Sequence, residues 1–167
     1  MEIRELTNKD IGMLLKLERK IINDLNKKNN ANFIIPYADY EIENFSNKFR
    51  FLNLGAFEGK HLIGSLQFKK NQFDIPDFDC IKDRNGLCMA SHAYVDSNCR
   101  NNNVMTMLCN TGIAKMKSCK SVVAIVRPEN QPPQHVMKKA GLIKFGQHLY
   151  TFKDKSQAIW DVYKRAI

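Results

Sequence analysis

Hydrophobic and polar positions along this chain change period several times, and each change marks an element. Glu2 to Leu6 alternates, as a strand does. Thr7 or Asn8 can cap the helix that follows, in which Leu14, Leu17, Ile21 and Leu25 line one face. The stretch from Asn23 to Asn32 is polar and asparagine-rich, which predicts a mobile connection. Pro36 suits the first turn of a second helix running through about Asn47. Phe51 to Phe57 and His61 to Phe68 are strand-like runs joined by Glu58-Gly59-Lys60, a hairpin signal. Asn71 to Gly86 holds Pro76, four aspartates and Asn85-Gly86, and reads as an excursion from regular structure.

Leu87 to Val95 is a strand, and Val104 to Lys117 a helix in which Met105, Leu108, Cys109, Gly112, Ile113 and Met116 recur at helical spacing. Val122 to Val126 is a continuous β-branched run, typical of a strand buried on both faces. Pro132 and Pro133 fit only the first turn of a helix, which runs to Ala140 and is ended by Gly141. Leu142 to Phe152 is extended and bent near Gly146, and Gln157 to Arg165 is assigned to a short C-terminal helix. The resulting order, β-α-α-β-β-β-α-β-α-β plus that helix, predicts a mixed α/β sheet with helices on both faces.

Length and composition narrow this picture. A chain of 167 residues with 44% hydrophobic residues and no linker or repeat reads as a single domain spanning residues 1–167. No apolar stretch approaches the roughly 20 residues that cross a bilayer, and the first residues lack a signal peptide's apolar core. A soluble, cytoplasmic protein with no membrane partner is therefore expected. Cys80, Cys88, Cys99, Cys109 and Cys119 are odd in number and form no Cys-x-x-Cys pair, so they read as reduced thiols and no metal site is expected. The net charge of +9 favours an anionic partner. Zinc-finger spacing, an RNA-recognition strand motif and a basic recognition helix are all missing, which ranks nucleic acid behind a phosphate-rich small ligand.

The join at Val95-Asp96-Ser97-Asn98-Cys99-Arg100-Asn101-Asn102-Asn103-Val104 carries the most chemistry. Arginine and three asparagines lie between a strand and a helix, and asparagine both tolerates left-handed backbone and caps helices. Such a turn presents unpaired backbone N–H groups at the positive end of a helix dipole, a natural phosphate site.

Three signatures then occur in order. Val95-Asp96-Ser97 ends a strand, Arg100 opens the loop, and Asn103 and Met105 stand at two positions where a glycine-type phosphate loop has small residues. Asn130 follows the next strand, and Lys139-Ala140-Gly141-Leu142 follows about ten residues later. Glu58-Gly59-Lys60-His61-Leu62-Ile63-Gly64 makes a hairpin upstream. In these features nearly the whole chain resembles the GNAT-type N-acetyltransferases, whose loop reads Gln/Arg-x-x-Gly-x-Gly/Ala and whose second signature is an asparagine followed by Lys-x-Gly-Phe.

The resemblance implies a GNAT-like acyl-CoA N-acyltransferase fold and transfer of an acetyl group from acetyl-CoA to an amine of a small molecule or peptide. It implies that Arg100 and the backbone of Asn101, Asn102, Asn103, Val104 and Met105 hold the pyrophosphate. Ala93, Tyr94 and Val95 would take the pantetheine arm like an added strand, with a backbone N–H polarising the thioester carbonyl. Asn130 would meet the arm where two strands splay apart. His92, an imidazole on the strand leading to the loop, is the expected proton acceptor. Met137 occupies the position of the tyrosine that protonates the leaving thiolate in many relatives, so Tyr150 is the expected substitute acid. His135 is expected to be solvated, and Ser91 and Cys88 assemble no nucleophilic triad. Asp39, Glu41 and Glu43 read either as a draw for a cationic amine or, more simply, as a solvated helix face. Pairing of two copies through the last strands is compatible with the pattern. The glycine-poor loop also leaves a second reading, a non-catalytic acyl-CoA-binding or scaffold protein.

Overall fold

The computed structural model describes residues 1–28, 33–152 and 154–167. Strand β1 (Glu2–Glu5) passes through a 3-10 turn at Asn8–Asp10 into α1 (Ile11–Asn26). Asp10 organises that turn: its carboxylate accepts from the Thr7 N–H at 2.8 Å and from the Arg4 guanidinium at 2.7 and 2.9 Å. The apolar stripe of α1 places Leu14, Leu17 and Ile21 in the core. Of the polar connection expected from Asn23, Asn23–Asn26 continue α1 instead, and residues 29–32 lie outside the described residues.

The second helix is shorter than Pro36 suggested. Helix α2 spans only Asp39–Glu43, opened by the Glu41 carboxylate accepting from the Ala38 N–H at 2.9 Å. Residues 34–37 stay irregular, which frees the Ile35 carbonyl and the Tyr37 N–H for tertiary bonds described below. Strands β2 (Phe51–Glu58) and β3 (His61–Lys69) form the expected hairpin, with Gly59 at φ +57 in the turn. The excursion leads to β4 (Leu87–Val95), then α3 (Val104–Lys115), β5 (Ser121–Val126), α4 (Gln131–Lys139), β6 (Ile143–Thr151) and β7 (Gln157–Ala166).

The last element corrects the sequence reading: Gln157–Ala166 is a strand, not a helix. The apolar residues Ile159, Trp160, Val162 and Tyr163 satisfy helical spacing as well as strand spacing over so short a window. Position in the sheet decides between them. β7 inserts between β5 and β6, so Trp160, Asp161, Val162 and Tyr163 are all buried, and β-branched and aromatic residues fit a strand covered on both faces.

One sheet has the order β1-β2-β3-β4-β5-β7-β6, antiparallel except for the β4–β5 pair. That parallel pair requires a crossover, which α3 supplies. On one face α3 and α4 bury Val104, Leu108, Cys109, Ile113, Met137 and Ala140 against the sheet. Helix α3 approaches so closely at Gly112 that a Cβ there would collide with the Phe68 ring. On the other face α1 covers Phe57 and Tyr94, while Ile75, Phe78 and Ile81 of the excursion cover Met89, Val123 and Val162. No helix among the described residues is long and apolar enough to cross a membrane.

Candidate functional site

The two central strands part company halfway. β4 and β5 pair from Leu87↔Ser121 to Ala90↔Ala124 and no further, although β4 continues to Val95 and β5 to Val126. On its other side β4 carries a bulge: Ser65 faces Tyr94 while Gln67 faces Ser91, so three steps of β4 oppose two of β3. His92 sits in that bulge at φ 49, a left-handed conformation that costs a non-glycine residue about 1–2 kcal/mol. Ala93 next to it is exposed.

At the far end of β4 the chain forms the asparagine-rich loop. The Asp96 N–H donates to the Ile63 carbonyl at 2.9 Å, and the Asp96 carboxylate accepts from the Asn98 N–H at 3.0 Å and from Lys20 at 2.7 Å. Lys20 thereby holds Asp96 below its ordinary carboxylate value. Arg100 is extended and exposed, and Asn101 and Asn103 take φ 67 and φ 57. Two asparagines thus adopt the backbone that glycines supply elsewhere.

Asn103 opens α3 without a side-chain cap bond; its Oδ1 instead accepts from Lys139 Nζ at 3.3 Å. The first N–H groups of a helix have no intrahelical partner, so those after Asn103 remain available to a ligand. Val104 is buried and Met105, partly buried, packs against the core cluster. Arg100 is exposed on the loop and Lys139 reaches Asn103, so the loop carries positive charge. Asn130 lies after β5 at the start of α4, half-buried, with no side-chain cap bond; its N–H closes a turn onto the Arg127 carbonyl at 2.9 Å.

Behind the bulge lies a second, quite different set of groups. His92 is buried, with Nε2 at 3.0 Å from Glu41 Oε1 and Nδ1 at 3.0 Å from the Ile35 carbonyl. Its ring stacks on Tyr37, with centroids 3.9 Å apart at 19°. Lys69 Nζ lies 2.9 Å from Glu41 Oε1. Burial alone would raise the Glu41 carboxyl, but hydrogen bonding from His92, aided by the Lys69 charge and the Ala38 N–H, outweighs it and brings it to about 2. Glu41 is therefore ionised, and its carboxylate and the Ile35 carbonyl each face one nitrogen of the His92 ring. Both ring nitrogens are thus engaged by protein groups, and the Tyr94 hydroxyl lies a further 3.5 Å from Nδ1. This geometry holds His92 as a buried anchor.

Tyr94 is as deeply placed: its hydroxyl donates to Glu18 Oε2 at 2.6 Å, and the same oxygen accepts from the Tyr37 N–H at 3.0 Å. Burial and the Glu18 charge push the Tyr94 phenol far above its ordinary value. Glu18, Tyr37 and Lys69 were not singled out from the sequence. A signal existed for Glu18, since it falls within the apolar stripe of α1 between Leu14 and Ile21. Glu41 is 2% exposed and does not belong to a solvated face, whereas Glu43 is exposed.

Tyr150 does not join these groups. It is half-buried on β6, three strands along the sheet from β4, with ring neighbours Phe152 at 5.0 Å and Trp160 at 6.1 Å. Met137 is in the core, and His135 is exposed on α4 with Nδ1 at 3.0 Å from the Gln131 carbonyl. All five cysteines are free, and burial pushes the Cys109 thiol up to about 12. Among the described residues, no three His, Cys, Asp or Glu side chains gather to hold a metal ion.

The sequence profile of the acetyltransferase (GNAT) family matches residues 19–142. No curated protein matches the chain by sequence. Among solved structures, the chain is similar to an acetyltransferase of the GNAT family from Streptococcus pneumoniae, at 16% identity over 99% of both chains with a TM-score of 0.73. A ribosomal-protein-alanine N-acetyltransferase from Brucella melitensis aligns over 100% of both chains at 18% identity and a TM-score of 0.73. An N-acetyltransferase from Staphylococcus aureus aligns over 99% of this chain and 97% of its own, at 17% identity and a TM-score of 0.73.

Proposed function

Since the chain belongs to the acetyltransferase (GNAT) family, we propose that it moves an acetyl group from acetyl-CoA to the amine of a small molecule or peptide. The observation that carries this reading is the asparagine loop, with Asn101 and Asn103 left-handed and Met105 partly buried against the core. Asparagines there supply the left-handed backbone that glycines would otherwise provide, which supports a phosphate-holding loop. In this reading Arg100, Lys139 and the amides from Asn101 to Met105 bind the pyrophosphate. The free edge of β4 from Ala93 to Val95, released from β5 beyond Ala90, takes the pantetheine arm as an added strand. Asn130 lines the opposite side of the same gap.

Acetyl-CoA supplies an activated thioester carbonyl. What the protein adds is alignment of the amine and a backbone N–H aimed at the developing oxyanion. Tyr150 is retained as the proton donor to the leaving thiolate, because among the described residues its hydroxyl has no hydrogen-bond partner, unlike that of Tyr94. The interlocked His92 ring and the missing tyrosine at Met137 favour a second reading, an acyl-CoA-binding protein that does not turn over.

Calorimetry with acetyl-CoA, paired with a free-thiol assay across primary amines that include alanine-terminated peptides, separates the two. Binding with amine-dependent thiol release supports the transferase, and binding alone supports the second reading. No heat and no rise in melting temperature with millimolar acetyl-CoA overturns both, because a ligand that binds only the native state must raise it.

A further inference from the structure

We propose that Glu41 and His92 form a positioning strut that sets the carbonyl-polarising N–H of the β4 bulge, coupling the 35–41 segment before β2 to the thioester; this rests on the transferase reading above.

The bulge is the one place where β4 is released on both sides. Pairing with β5 has ended at Ala90, and the register with β3 slips between Ser91 and Tyr94. A strand segment freed from both neighbours has no ladder to fix the direction of its amides. What fixes it here is a side chain. His92 adopts φ 49, which strand residues avoid, and its ring is held from three directions by Glu41, by the Ile35 carbonyl and by the face of Tyr37. A strained backbone persists only where its surroundings over-determine it, and such strain concentrates at working sites.

The three contacts come from the connection between α1 and β2, the irregular segment and short helix that precede Asn44. Glu41 is itself fixed, by Lys69 from the end of β3 and by the Ala38 N–H. A movement of the 35–41 segment is thereby transmitted through one imidazole to the amides at Ala93. His92 acts through the backbone and touches no reacting atom, so it is a positioning residue.

The test is the carbonyl stretching band of acetyl-CoA labelled with carbon-13 at the thioester, read by difference infrared spectroscopy on wild type, His92→Gly, His92→Asn and Glu41→Gln. Glycine and asparagine both accept the left-handed backbone, so each removes the strut while sparing the strand. On wild type the bound band falls below its free position. In the variants it is expected to return toward that position, with acetyl-CoA affinity by calorimetry held within about twofold. Thiol release to water should fall about tenfold to a hundredfold in kcat with KM unchanged, less than the 10²–10³ lost when an oxyanion donor is removed outright. His92→Asn, the variant closest in size, is expected to fold as wild type does by circular dichroism.

A wild-type band position in a folded His92→Asn or Glu41→Gln protein overturns the strut while leaving the transferase reading in place. Wild type that binds no acetyl-CoA overturns the transferase reading, and the strut's purpose with it.

Discussion

The two ends of the β4 exit are built by opposite means. The loop from Asp96 to Asn103 is local, exposed and made of backbone, and its geometry comes from asparagines within eight consecutive positions. The cluster behind the bulge is buried and made of side chains, and it draws on residues as distant as Glu18 and Tyr94, 76 positions apart. The first tolerates substitution as long as φ stays positive. The second is a set of buried polar and charged groups that satisfy one another, in a medium where an unpartnered one is costly.

The largest effect that would sharpen this contrast is on stability. Glu41→Ala leaves Lys69 without its buried anion and His92 without a hydrogen-bond partner, and is expected to lower unfolding free energy by about 3–5 kcal/mol, measured by urea denaturation. The acid limb should show the same residue. Glu41 is held at about 2 in the folded protein, below its ordinary value near 4.5, so its contribution is whole above about 4.5 and is lost as pH falls from there toward 2. In Glu41→Gln that part of the acid-unfolding curve flattens.

The next effect is catalytic. Tyr150→Phe is expected to cut kcat by about 10²-fold with an unchanged melting temperature, as removal of a general acid does. An unaltered kcat would take Tyr150 out of the reaction. A smaller effect probes the loop. Asn103→Val forces a β-branched residue into φ 57, which costs about 1–2 kcal/mol and should weaken coenzyme A binding about tenfold by calorimetry, whereas Asn103→Gly should bind as wild type does. The smallest expected change is Arg100→Gln, a few-fold loss of affinity that shrinks with added salt, since an exposed cation is largely screened. If Arg100→Gln cost more than Asn103→Val, the loop would be held by charge and the contrast drawn above would fail.

Legibility from sequence follows the same division. Strands β2 to β5, helix α3 and the loop were readable because each depends on contiguous patterning or on residues with special backbone freedom. The final strand was misassigned because its type depends on insertion between β5 and β6, a fact about neighbours and not about its own residues. Helix α2 was drawn too long because the irregular residues before it are held by Glu18 and His92, which no local propensity reveals. His92 was visible as a histidine on the right strand, but its engagement was not, since Glu41 and the Ile35 carbonyl approach from over fifty positions away. Met105 stands where a small residue is expected, and only the fold shows that it packs, partly buried, against the core.

The insertion of β7 between β5 and β6 also has a bearing on biosynthesis. β5 pairs with β4 on one side but finds its second partner only when Ala166 reaches Ser121, so a nascent chain that has already made β6 still carries an open sheet edge along Val122–Val126. That β-branched run is sticky, and it stays uncovered on this side until β7 pairs with it. A chain lacking β7 would therefore be aggregation-prone and not merely less stable.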